Sequence, residues 1–91
     1  MRFIVCYDVS DDRRRERISA ALLDYGARIQ ESVFIATLDD ELRDRMVERL
    51  TKLVDAAVDS ILIFPLCRTC AGKATALGVA NLPQDREYYV L

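Results

Sequence analysis

The feature that most constrains this chain is its opening run, residues 1–10, Met-Arg-Phe-Ile-Val-Cys-Tyr-Asp-Val-Ser. From Phe3 to Tyr7 it is an almost unbroken stretch of apolar, β-branched and aromatic residues. A strand of that character is covered on at least one face, so it calls for a sheet with helices packed on it. The run ends on one carboxylate, Asp8. Asp11 and Asp12 follow, and then Arg13, Arg14, Arg15 and Arg17. A buried strand that delivers an acid to its C-terminal tip, beside a helix start rich in arginine, suits phosphate chemistry.

The rest of the chain builds around that strand. Ser10 or Asp11 can cap a helix whose dipole welcomes the carboxylates of Asp11 and Asp12. Ile18, Ala21, Leu22 and Tyr25 recur at helical spacing as its buried stripe, and Gly26 reads as a left-handed cap at its end. Residues 28–38 read as β: Ile29, Val33 and Ile35 alternate with Gln30, Ser32, Phe34 and Ala36. The polar pair Glu31-Ser32 interrupts the middle, and two readings stay open. One long strand gives a βαβαβ parallel sheet. Two short strands meeting at a sharp bend give the βαββαβ order of a ferredoxin-like sandwich.

Asp39 or Asp40 caps a second helix, with Leu42, Met46, Val47, Leu50, Leu53, Val54 and Ala57 as its stripe, ending before Asp59-Ser60. Residues 61–64 form a further strand, and Pro65 puts it at a sheet edge or at its own end. From Cys67 the character changes. Cys67-Arg-Thr-Cys70-Ala-Gly72-Lys73 reads as loop, residues 75–79 as a short strand, residues 81–85 as a turn and residues 87–91 as a β-prone terminus. Residues 1–66 therefore make the core domain. Residues 67–91 make a C-terminal extension whose last strand is expected to pack on the sheet of a partner subunit.

Size and composition narrow the function. A chain of 91 residues is one domain, and one this short buries only about 60–65% of its unfolded surface. With 52% apolar residues there is enough for a core and an interface, so a two-fold homodimer is expected. The net charge of −2 gives no global attraction for nucleic acid. The arginines between residues 13 and 17 give a local one, since guanidinium forks match phosphate in a way lysine does not; taken alone, such a run reads as a solvated helix face. The chain has no histidine, which removes the commonest general base and transition-metal ligand. Three cysteines, with no export signal in view, read as reduced thiols in a cytoplasm. No apolar run approaches the ~20 residues of a membrane span.

Asp8 has two readings. It can cap the first helix or stand in a turn, as acids at strand ends commonly do. It can also bind a metal, but magnesium takes six oxygens, and one carboxylate holds it poorly. A two-fold axis near the strand tips would bring two copies of Asp8 to one ion, which could polarise a phosphodiester and supply hydroxide. Tyr7 and Phe34 could stack on bases, or belong to the core or an interface. Cys67-x-x-Cys70 lacks the further ligands of a zinc site within one chain, and no long helix follows it as in a thioredoxin-like motif, so it reads as structural or incidental. Gly72-Lys73 lacks the rest of a phosphate-binding loop.

Taken together, the strand with Tyr7-Asp8-Val-Ser-Asp-Asp12, the arginines Arg14, Arg15 and Arg17, the helix end Tyr25-Gly26, and Arg28-Ile-Gln30 with Ser32-Val-Phe34 resemble the Cas-two family. That family is the small CRISPR-associated protein of the adaptation machinery. The likeness runs from residue 1 to about residue 66 and weakens after Cys67. It implies an α+β, ferredoxin-like βαββαβ sandwich with an extra C-terminal strand, working as a homodimer. It implies a magnesium-dependent endonuclease acting on RNA or double-stranded DNA, with manganese as the alternative ion. Asp8 is then the metal ligand, and Asp8, Tyr7, Arg15 and Arg17 are the catalytic positions. Arg14, Arg15, Arg17, Arg28 and Phe34 are the nucleic-acid-binding positions. The resemblance also implies a partner, the Cas-one integrase. In that role the chain is a scaffold gripping duplex DNA, and nuclease activity is dispensable. A ferredoxin-like regulatory or toxin-type module with no CRISPR link is the contrasting class, because fold alone does not fix function.

Overall fold

In the computed structural model, which describes residues 1–73, 75–77 and 89–90, the opening run forms strand β1, Arg2–Asp8. It is followed by helix α1, Asp12–Leu23, and by a hairpin of β2, Gly26–Gln30, and β3, Val33–Thr37. Helix α2, Asp40–Leu53, and strand β4, Ser60–Leu66, complete a βαββαβ order. The sheet order is β2-β3-β1-β4 and every neighbouring pair is antiparallel. This is the ferredoxin-like α+β sandwich, with β1 in the interior of the sheet.

Alternation along the strands explains the layering. Phe3, Val5 and Tyr7 of β1 and Phe34 and Ala36 of β3 share one face. There they meet Ile18, Ala21 and Leu22 of α1 and Met46 and Leu50 of α2 in a single core. The α1 stripe falls where its spacing predicts. Burying each large apolar side chain of this set contributes about 1.5–3 kcal/mol. The other sheet face is covered only in part among the described residues: Ile35 is buried, and Ile4 and Cys6 are half-buried. Cys6 stands opposite Leu62, and Ile4 opposite Phe64. Leu62 and Phe64 remain 55% and 50% exposed.

The caps resolve the pairs of candidates in the sequence. Asp11 caps α1 by accepting from the Arg14 N–H at 2.8 Å, and Asp39 caps α2 by accepting from the Leu42 N–H at 2.8 Å. Helix α2 stops a turn earlier than its apolar stripe. Val54 is already extended, and the next residues fold into a turn in which the Asp59 N–H donates to the Asp55 carbonyl at 2.8 Å. Ala57 is exposed in that turn, rather than on the helix.

Gly26 departs from expectation. The helix closes at Asp24 in the right-handed region, and Gly26 is the first residue of β2. Its role is close approach: a Cβ there would lie 2.1 Å from the Ile35 carbonyl oxygen and 2.8 Å from the Ala36 Cα. The bend expected at Glu31-Ser32 is the hairpin turn, with Ser32 at φ 65°. The hairpin register slips between Arg28 and Gln30. Pro65 lies in β4, an edge strand, where a missing N–H on the outer side leaves no ladder bond unmade.

Beyond the sheet, the segment read as loop contains one helical turn, α3, Arg68–Ala71, capped by Cys67. Strands β5, Thr75–Ala76, and β6, Tyr89–Val90, pair in parallel with each other within this chain. The turn expected at residues 81–85 lies outside the described residues. No helix among the described residues is long and apolar enough to cross a membrane.

Candidate nucleic-acid interface at the tip of the first strand

The carboxyl end of β1 is held from both sides. The Tyr7 N–H donates to the Ser32 carbonyl at 3.1 Å, which ties the strand tip to the β2–β3 turn. The Arg15 guanidinium donates to the Val9 carbonyl at 3.1 Å, which ties the following loop to the first turn of α1. Val9 itself is buried. Asp8 sits between these anchors with its side chain exposed, opposite Ser60 of β4.

A shallow pocket of about 410 Å³ lies beside the tip, lined by Tyr7, Arg15, Ser19, Arg28 and Ser32, with Glu16 and Glu31 adding negative charge. Asp8 is not part of its lining. Arg28 crosses from β2 to hydrogen-bond the Ser19 hydroxyl of α1, and its guanidinium lies 5.3 Å from the centroid of the Phe34 ring. That contact is a cation–π geometry that holds the charge at the surface over an apolar floor.

Of the two readings open for the aromatic residues, stacking on bases or membership of the core, their burial favours the core. Phe34 is 0% exposed and Tyr7 is buried with it, their ring centroids 6.1 Å apart. Stacking needs an open face, and both rings are enclosed by the core. They carry the site as its floor, and only Tyr7 reaches the pocket wall.

The arginines divide into distinct kinds. Arg14 is engaged on the far side of α1: its Nε and Nη2 donate to the two carboxylate oxygens of Asp59 at 2.8 and 3.1 Å. The Asp59 side chain is 0% exposed, and it also accepts from the Asp55 N–H at 2.9 Å. Arg14 holds the Asp59 carboxyl below the ordinary carboxylate range, with the Asp55 N–H as the next cause and burial opposing both. The Arg14 fork is thus filled by a protein carboxylate, a bidentate pairing that competes with phosphate. Arg15 is shared between the Val9 carbonyl and the Asp12 carboxylate. Arg17 and Arg13 are exposed; Arg17 engages no side chain among the described residues, and Arg13 lies within electrostatic reach of Asp11.

The sequence reading did not single out Asp59 or Ser19, the residues that fix Arg14 and Arg28. Each lies on a different element from its partner, 45 and 9 residues away, so no local spacing announces it. As for a metal, the described residues contain no cluster of three or more aspartate, glutamate, cysteine or histidine side chains able to hold an ion. One exposed carboxylate does not make a magnesium site, so the donor set of a single chain does not fit that ion.

The family described as "CRISPR associated protein Cas2" matches residues 1–74. A Rhodospirillum rubrum protein named CRISPR-associated endoribonuclease Cas2 4 is 43% identical over 77 residues, 85% of this chain. The match spans 62% of that relative's length. A Thermus thermophilus protein named CRISPR-associated endonuclease Cas2 2 is 39% identical over 98% of this chain and 94% of its own. Among solved structures, Streptococcus pyogenes Cas2 superposes with a TM-score of 0.78 at 29% identity, covering 86% of this chain and 100% of that one. With the ferredoxin-like sheet, the strand-tip aspartate and a family match over most of its length, the chain belongs to the Cas2 family of CRISPR-associated proteins.

Proposed function

We propose that the chain works in CRISPR adaptation as an endonuclease that cleaves phosphodiester bonds of RNA or DNA, as a two-fold dimer with magnesium or manganese. The observation that carries this reading is Asp8, an exposed carboxylate on a strand tip anchored through Tyr7 and through Val9. The endonuclease and endoribonuclease names of the relatives favour the same chemistry. Because one chain brings one such acid, a second copy of Asp8 must complete the site. The exposed Leu62 and Phe64, beside the half-buried Ile4 and Cys6, support the dimer, since a chain of this size gains much from covering them. When bound, the metal supplies Lewis acidity to a phosphodiester oxygen.

The chain's own residues bind and orient. Arg17, Arg13 and Arg28 offer guanidinium groups to a phosphate backbone, and Arg15 holds the loop that carries the chain away from Asp8. Tyr7 and Phe34 keep the floor rigid. The test is cleavage of RNA and DNA by purified protein with magnesium across a broad pH range, against Asp8→Asn. Activity above the Asp8→Asn level, on the neutral-to-alkaline side, is the expected result. Equal activity of the two proteins overturns the reading.

A second reading is favoured by the solvent-facing arginines, which do not depend on Asp8. In it the chain is a scaffold that grips duplex DNA between dimers of the Cas-one integrase. Spacer acquisition that survives Asp8→Ala but is lost when Arg15, Arg17 and Arg28 are changed together to Ala selects the scaffold over the nuclease.

A further inference from the structure

The turn after β4 holds a pair of groups that phosphate binding does not use. Cys67 and Cys70 are both exposed free thiols, one at the start of α3 and one within it. Their sulfurs are not independent. Cys67 Sγ accepts a hydrogen bond from the Cys70 backbone N–H at 3.4 Å. Cysteines three apart on one turn lie within the Cα separation a disulfide accepts. Cys67 also lines a pocket of about 550 Å³ with Met1, Arg2, Thr37, Leu66 and Arg68. The attacking form of a cysteine is the thiolate, and a hydrogen-bond donor aimed at the sulfur favours that form.

We propose that Cys67 and Cys70 form a dithiol site that exchanges with small-molecule disulfides, Cys67 attacking and Cys70 resolving. The environment agrees with this division. Hydrogen bonding from Cys70, chiefly its backbone N–H, pushes the Cys67 thiol below its ordinary value, and the Cys67 sulfur in turn pushes Cys70 up. In the first step the Cys67 thiolate attacks one sulfur of the disulfide. A Cys67–S bond forms, the S–S bond of the reagent breaks, and one thiolate leaves with its electron pair. In the second step Cys70 loses its proton to solvent and attacks the Cys67 sulfur, expelling the second thiolate. The protein has lost two electrons and two protons; the reagent has become two thiols.

The third thiol is an internal control. Cys6 is half-buried on β1 and faces Val33 and Leu62 across the sheet, with no cysteine beside it. The pair is also far from the strand-tip site. In the β1–β4 register Asp8 stands opposite Ser60, whereas Leu66, the residue before Cys67, stands opposite Arg2 at the other end of β1. Thiol exchange and phosphodiester cleavage therefore read separate ends of the molecule.

The experiment exposes purified reduced protein to oxidised glutathione and follows intact mass, with peptide mapping. Wild type is expected to lose two free thiols while retaining no glutathione, and to recover both with dithiothreitol. Cys70→Ser is expected to retain one glutathione, on Cys67. In Cys67→Ser, Cys70 should react at least about tenfold more slowly at pH 7 than Cys67 does in Cys70→Ser, because it lacks the stabilised thiolate. Both substitutions are at exposed positions, so the fold is kept for the comparison. Three results each overturn the proposal: wild type keeping both thiols free, Cys6 reacting as fast as Cys67, or the two serine variants reacting at the same rate.

Discussion

The two faces of the sheet use the same residue types for different ends. On the helix side Phe34 pairs with Val5 in register, and both are fully buried. On the other side Phe64 pairs with Ile4 in register and remains half exposed. The same alternation therefore gives one face that is closed by the helices and one that, among the described residues, is closed at Ile35 but left open at Leu62 and Phe64. An exposed apolar patch such as Leu62 and Phe64 on a small domain leaves the hydrophobic effect unsatisfied, and a second copy of the same patch is its simplest cover.

The sharpest way to break that contrast is to truncate or charge one phenylalanine on each side. Phe34→Ala removes a core side chain, and such changes cost about 3–5 kcal/mol, a large share of the stability of a small domain. Thermal or urea unfolding should show a largely destabilised protein. Phe64→Glu should leave the monomer folded, with unfolding close to wild type, but convert a wild-type dimer to monomer by light scattering at micromolar concentration. If Phe64→Glu stays dimeric, or wild type is itself monomeric, the exposed patch is not the interface. If it unfolds as badly as Phe34→Ala, the two faces are not different in kind.

Much of the covered face was legible. The helical spacing of Ile18, Ala21 and Leu22, and the apolar run of β1, point to these residues as core, and they are buried there. The acids at 11 and 39 announce their helix starts. What lay beyond reach were features that depend on meeting something distant. The hairpin turn was ambiguous because Glu31-Ser32 breaks the apolar run without a glycine or proline to mark a turn, and a positive φ at a serine leaves no local signature. Gly26 follows a helix, so it looks like a cap; its need for a missing Cβ comes from Ile35 and Ala36 across the hairpin. Phe34 and Tyr7 looked able to stack because no local pattern tells which side of a doubly apolar strand will be roofed. In the arginine run, Arg14 and Arg17 look alike in sequence, and only the fold gives one of them Asp59.

That last difference yields a pH signature. The folded-state pKa of Asp59 lies below its ordinary value of 3.8, chiefly because Arg14 hydrogen-bonds to it. A depressed carboxylate stabilises the fold above the ordinary value, and that contribution is lost as pH falls through the folded value. Asp59→Asn should therefore lower the midpoint of thermal unfolding by roughly 5–10 °C at pH 5–7, and the gap to wild type should narrow below pH 4. A gap that stays constant down to the acid unfolding limit would mean that packing, not the ion pair, is what the carboxylate provides.

The smallest effect separates the arginines themselves. Arg14 is bound to Asp59, whereas Arg17 projects from the same helix with no described partner. Arg14→Ala should lower the unfolding midpoint while leaving the salt dependence of nucleic-acid binding as it was. Arg17→Ala should do the reverse: the midpoint holds, affinity for duplex DNA or RNA falls similarly across sequences, and the log–log salt slope drops by about 1, as expected for one lost phosphate contact. If Arg14→Ala alone reduces the slope, the Asp59 pair opens on binding, and the helix start presents a broader cationic surface than the free chain does. If neither variant changes it, the phosphate path runs elsewhere, and Arg28, held over the Phe34 ring, becomes the first position to test.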